Sequence, residues 1–169
     1  AGYKTTKYLI NIGCSNIAVV NPTGSSSVGK LRLLGYKKAL EEFEIPFDPK
    51  LIINLSPKDD LDMLMSFLLN YKAIGGIIGL DEITAVKVLE VVKARGYNVP
   101  NDISIIGFTN GQLSKYVTPS LTMVSQHGKY IGELTAKLLI NRIKNPGQPY
   151  ETKTVKTSLL VRDSTKKLQ

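Results

Sequence analysis

Residues 98–108 run Asn98-Val99-Pro100-Asn101-Asp102-Ile103-Ser104-Ile105-Ile106-Gly107-Phe108. The first five are turn chemistry, with a proline and short polar side chains that favour tight backbone bends. The last six are nearly all apolar, rich in β-branched residues, and of strand length. A strand that is apolar throughout, rather than at alternate positions, is buried on both faces, as in a parallel sheet. The flanking chain agrees. Upstream, residues 82–95 place Ile83, Val86, Leu89 and Val92 at helical spacing, and Gly96 supplies a C-cap. The same unit repeats toward the N-terminus. Strands are expected at 73–79, 51–55 and 17–21, and helices at 59–71 and 29–44. Asp59, Asp60 and Asp62 crowd the positive end of the 59–71 helix, with Ser56 as N-cap or turn residue. Leu31, Leu34, Ala39 and Phe43 form the stripe of the 29–44 helix. Four such strands alternating with helices predict an α/β fold with a parallel doubly wound sheet.

The remainder departs from this rhythm. Residues 109–120 read as a polar loop, 121–125 as a strand, and 129–144 as a helix striped by Ile131, Leu134, Leu138 and Leu139. Pro146 and Gly147 end that helix, 154–162 read as a last strand, and 164–169 as a frayed tail. Residues 3–12 carry Tyr8, Leu9 and Ile12 in a helical pattern with no strand before it. The expectation is a fragment of a larger protein.

Composition narrows the function classes. The chain has 169 residues, 43% hydrophobic and 21% charged, enough for a packed core. One cysteine excludes an intramolecular disulfide framework and suits a reducing cytoplasm. One cysteine and one histidine cannot make a His/Cys zinc site, and no cofactor is called for. No apolar run approaches membrane-spanning length. The net charge of +8 is uneven, since residues 41–114 carry eleven acids against six basic residues while both ends are basic. Eighteen of the 22 basic residues are lysines dispersed along helices, which reads as solvated surface rather than a nucleic-acid patch.

Several motifs carry chemistry. Gly24-Ser25-Ser26-Ser27-Val28-Gly29-Lys30 follows a strand and opens a helix, as a phosphate-binding loop does. Leu31, however, stands where a hydroxyl should hold magnesium, so a nucleotide-binding protein is only a remote alternative. Arg32 lies just inside the same helix. Asp81 ends the third strand, and Thr109 and Asn110 end the fourth. In open α/β sheets ligands sit beyond the carboxyl ends of the strands. Ser25 to Ser27, Arg32, Asp81, Thr109 and Asn110 could therefore line one cleft for a hydroxyl-rich ligand. Each also has a plainer role: Asp81 as N-cap of the next helix, Thr109 and Asn110 as turn residues, Arg32 as a surface arginine. His127 could pair with Ser125 or an acid, yet no nucleophile-elbow motif accompanies it. Cys14 reads as a small apolar residue.

Taken together these stretches resemble the lactose/galactose repressor (LacI/GalR) family. The resemblance is carried by residues 99–108, by Pro119-Ser120-Leu121-Thr122-Met123-Val124-Ser125-Gln126, and by Ile131-Gly132-Glu133 with Leu138-Leu139. It also rests on Leu160-Val161-Arg162-Asp163-Ser164-Thr165, on Arg32 with Gly35-Tyr36 and Ala39-Leu40, and on Leu9-Ile10 through Ala18. It covers residues 2 to 165. It implies a periplasmic-binding-protein-like type I fold, truncated mostly to the C-terminal subdomain. Residues of about 13–120 would form that subdomain and about 121–165 a crossover strand, helix and last strand, with the helix-turn-helix headpiece absent. The implied function is effector binding and dimerisation in a DNA-binding transcriptional regulator, not an enzyme. The effector would be a sugar, sugar acid or similar small molecule, operator DNA would be met through the missing headpiece, and the protein would be a cytoplasmic homodimer without membrane contact. A transported-sugar receptor of the same fold is the alternative. The resemblance places effector contacts at Arg32, Asp81 and Gln126, which join Ser27, Thr109 and Asn110. It places subunit contacts on the 82–95 helix, where Val88, Val91 and Val92 widen the apolar face, and on the loop from Leu113 to Val117. Leu80 stands where the family has Asn, and Thr109 where it often has an Asp that binds sugar hydroxyls; that loss removes two strong acceptors.

Overall fold

The computed structural model describes residues 1–168 apart from Thr23, Ser25 and Pro57. The elements are α1 (Gly2–Asn11), β1 (Ile17–Asn21), α2 (Ser27–Glu42), β2 (Ile52–Asn54), α3 (Leu61–Tyr71), β3 (Gly76–Gly79), α4 (Glu82–Ala94), β4 (Ser104–Thr109), α5 (Leu113–Tyr116), β5 (Thr122–Ser125), α6 (Gly128–Lys144) and β6 (Ser158–Leu160). They build one sheet in the order β2-β1-β3-β4-β5-β6. β1 to β5 pair in parallel, with Val19 opposite Ile52 and Ile78, and Ile106 opposite Thr122. β6 runs antiparallel to β5.

Successive strand residues point to opposite faces, and both faces are covered. On one side Ala18, Val20, Ile77 and Ile105 meet Met65 and Leu68 of α3 and Val88, Leu89 and Val92 of α4. On the other, Ile17, Val19, Ile78 and Ile106 meet Tyr8 and Leu9 of α1 and Tyr36 and Leu40 of α2. This is why the strands read as unbroken apolar runs. It also corrects one expectation: Val88 and Val92 are fully buried and Val91 packs against the same core, so they are not a surplus apolar face. α1 and α2 cross closely at two glycines. A Cβ on Gly2 would lie 2.1 Å from the carbonyl oxygen of Arg32, and one on Gly35 would lie 2.5 Å from the amide nitrogen of Tyr3.

Local corrections have local causes. Asp60, not Ser56, caps α3, accepting from the amides of Asp62 at 2.9 Å and Met63 at 3.3 Å. The 109–120 loop contains the short helix α5. The last strand shrinks to Ser158–Leu160, because only these residues find partners on β5. The tail is not frayed where it begins. Ser164 and Thr165 are buried. The Ser164 hydroxyl accepts from the Thr122 amide at 2.8 Å and donates to the Ile105 carbonyl at 2.6 Å, while the Ile105 amide donates to the Ser164 carbonyl. α6 is the opposite case. Despite its apolar stripe, none of its residues is fully buried, and Ile131, Leu139, Ile140 and Ile143 are exposed.

Candidate functional site

The chain turns from β1 to β2 on one side and to β3 on the other, so β1 and β3 flank the switch point where open sheets leave a crevice. Its rim is made by the residues that end β3, β4 and β5. Ser26 caps α2, its hydroxyl accepting from the Gly29 amide at 3.1 Å. That sets the helix so that Arg32, in its second turn, reaches over the sheet ends. The guanidinium donates to the Leu80 carbonyl at the end of β3 and lies 4.4 Å from the centre of the Phe108 ring at the end of β4. Burial lowers the Arg32 pKa from its ordinary value, and the attraction of Asp81 partly offsets this. Among the described residues no acid lies within ion-pair distance of Arg32.

Arg32 forms one wall of a hollow of about 290 Å³. Phe108, Gln126 and Thr157 contribute to it, together with Val28, Leu31, Ile131 and Val155. Two of the six expected site residues, Arg32 and Gln126, thus share one concavity. Thr109 and Asn110 line a neighbouring hollow with Ser125, His127 and Lys129. Both have positive φ, 94° and 53°, which is strained for a β-branched threonine. Asp81 caps α4, its carboxylate accepting from the Thr84 amide at 2.7 Å. Ser27 is exposed at the start of α2 and lines neither hollow. Ser25 lies outside the described residues.

Two residues with clear roles here carried no site signal in the sequence. Phe108 read as a core strand residue, yet its ring supports the Arg32 guanidinium. Arg162 donates to the Leu121 carbonyl at 2.6 Å, to the Ser114 hydroxyl at 3.3 Å and to the Asn110 side-chain oxygen at 2.5 Å. It therefore holds the 109–121 loop and engages the side-chain oxygen of Asn110. The only available signal was its place in the Leu160–Thr165 motif. The His127 ring meets Ser158, with Oγ and Nε2 3.1 Å apart, and its contact with Ser125 is through the backbone amide. Cys14 is buried, which raises its thiol pKa. No helix is long and apolar enough to cross a membrane among the described residues, nor do these hold a His/Cys/Asp/Glu cluster of metal-site size.

A family model described as "Periplasmic binding protein-like domain" matches residues 6–165. The chain is 35% identical over 169 residues to the HTH-type transcriptional regulator MalR of Clostridium butyricum, covering 97% of this chain and 49% of that protein. It is 28% identical to the HTH-type transcriptional repressor PurR of Histophilus somni, covering 99% and 51%. A LacI family transcriptional regulator from Enterococcus faecium, solved with bound ribose, superposes with a TM-score of 0.84 at 29% identity, over 97% of this chain and 61% of that one. The chain therefore belongs to the periplasmic binding protein-like domain family, in the form found as the effector-binding domain of LacI/GalR regulators. It spans about half the length of the curated relatives it matches.

Proposed function

We propose that this chain is the effector-binding and dimerisation portion of a cytoplasmic LacI/GalR-type transcriptional regulator, acting by ligand binding and not by catalysis. The observation that carries this reading is Arg32, fixed by Leu80 and Phe108 at the carboxyl ends of the strands beside the switch point. The effector is a sugar, sugar acid or similarly small polar molecule, and operator DNA is met by a headpiece outside this chain. Residues of about 13–120 form the C-terminal subdomain, and residues of about 121–165 cross to a second one. The uncovered apolar stripe of α6 supports that division. A homodimer contact falls on the start of α4 and on α5. Ile83, Leu113 and Tyr116 are exposed there, and the Ser114 amide donates to Glu82 across the two helices.

The test is an operator-binding assay on the full-length protein, run beside effector titration and light scattering. Ligand-dependent change in operator affinity, lost on Arg32→Ala, is the expected result. Operator binding that no small molecule alters would overturn the regulatory reading. A monomer at tens of micromolar, the scale of a modest interface, would overturn the dimer.

A further inference from the structure

β2 is an outer strand of the sheet, at the far end of the strand order from β5 and β6, and none of its residues lines the Arg32 hollow. Its inner side is fixed by the Leu55 amide, which donates to the Asn21 carbonyl of β1 at 2.8 Å. Peptide groups alternate sides along a strand, so the N–H and C=O of Ile53 also face β1, and those of Ile52 and Asn54 face away from the sheet. The Ile52 amide is taken by the Pro49 carbonyl. The Ile52 carbonyl and the Asn54 amide have no backbone partner among the described residues. A proline or a charged side chain commonly guards such an edge, and Ile52-Ile53-Asn54 has neither.

Beside this edge a groove of about 510 Å³ runs between β2 and α3, lined by Ile53, Leu64, Phe67, Leu68 and Tyr71. Met63, Phe67 and Tyr71 recur at four-residue spacing and so share one stripe of α3. They are 52%, 68% and 42% exposed. Covering that stripe is what a partner gains, and the open backbone groups set its direction. The two charges on the groove lie at opposite ends of the strand. Lys50 precedes β2, while the Asp59 carboxylate accepts from the Ser56 amide at 2.7 Å, just past the other end. Neither makes an ion pair among the described residues.

A surface with a positive end and a negative end complements itself when turned about a two-fold axis. We propose that β2 pairs antiparallel with the β2 of a second copy of this chain, about a two-fold at Ile53. In that register the Asn54 amide of each chain donates to the Ile52 carbonyl of the other. Lys50 comes opposite Ser56 of the other copy, and so beside the Asp59 carboxylate held there. The two α3 helices lie side by side over the joined sheet and cover Phe67 and Tyr71. This contact is separate from the homodimer contact assigned to α4 and α5 and does not depend on it.

The experiment is sedimentation velocity on the full-length protein at tens of micromolar, the scale of a modest interface, with circular dichroism confirming the fold of each variant. The native protein is expected to be larger than a dimer. Tyr116→Asp, which breaks the contact on α4 and α5, is expected to leave a dimer. In that background Phe67→Ser and Asn54→Pro should each weaken association by about tenfold or more. The proline removes an outward amide and spares the Leu55 bond to β1. Lys50→Glu and Asp59→Lys should each weaken association, and the two together should restore it, because the contact joins these two ends. A monomeric native protein, a native dimer that Tyr116→Asp turns into a monomer, association indifferent to Phe67→Ser, or a charge swap without rescue would each overturn the proposal. A native dimer kept by Tyr116→Asp and lost on Phe67→Ser upholds the β2 contact and removes the one on α4 and α5.

Discussion

Two arginines are used in opposite ways. Arg162 directs its donors at Leu121, Ser114 and Asn110, and the segment that follows it ties the starts of β4 and β5 together through Ser164. Arg32 makes one hydrogen bond and one ring contact, and faces an open hollow. The first region is closed and completes the fold. The second stays open to solvent. Arginine suits both because its planar fork can satisfy several carbonyls or present a matched pair of donors to a ligand.

The largest expected effect lies on the closed side. Ser164→Val should destabilise the protein by about 3 kcal/mol, since it strands the buried Thr122 amide and Ile105 carbonyl at the penalty typical of unsatisfied polar groups. The midpoint of urea denaturation measures it, and a loss below about 1 kcal/mol would show that the latch is dispensable.

Next comes the open side. In the full-length protein, Arg32→Lys should cost effector affinity about 1–3 kcal/mol, the scale of a charge-assisted hydrogen bond, and should leave operator binding without effector unchanged. Titration beside an operator assay reads both. Unchanged effector affinity would make Arg32 a second Arg162, a residue of the fold alone.

Asp81, which caps α4 and whose charge acts on Arg32, sharpens the contrast. Asp81→Ala should cost about 1 kcal/mol of stability through loss of the α4 cap, and Asp81→Ser should restore most of it. Should Asp81→Ser also retain full effector affinity, the residue serves the helix; should it bind weakly, the free carboxylate oxygen touches ligand.

The smallest effect is on the surface, remote from both arginines. Arg95 donates to Asp62 at 2.6 Å and holds its carboxyl below the ordinary value of 3.8. A depressed folded-state pKa means that the associated stability is present above the unfolded value and is lost as pH falls through the folded one. Denaturation midpoints of the protein and of Asp62→Asn should therefore converge below pH 3.8. Because the pair is exposed, the gap above that pH should be small and should shrink further in salt.

The contrast between helices shows what could be read from residues alone. α4 and α6 both carry apolar stripes of helical period, and both form helices as expected. Yet α4 buries Val88, Leu89 and Val92 against the sheet, while α6 has no fully buried residue. A stripe records that a helix has an apolar face; it does not record whether an element of the same chain lies opposite. The site divides in the same way. Asp81 at a helix start, Arg32 one turn inside another, and polar residues after apolar runs were all visible as positions. The Ser164 latch was not, because a serine in a polar tail looks like tail until it is found bonded to the starts of two neighbouring strands.

Sequence alone determined the alternation of strand and helix and the parallel sheet, because burial on two faces forces unbroken apolar runs and helical burial forces a 3.6-residue period, and its motifs carried the resemblance to the family. Tertiary structure alone decided which polar groups meet. Arg32 reaches Leu80 and Phe108, and Arg162 reaches Asn110, only because the β3, β4 and β5 ends are brought side by side. Hydrogen bonds depend on ångström distances between atoms far apart in the chain, and no local pattern of residues encodes those distances.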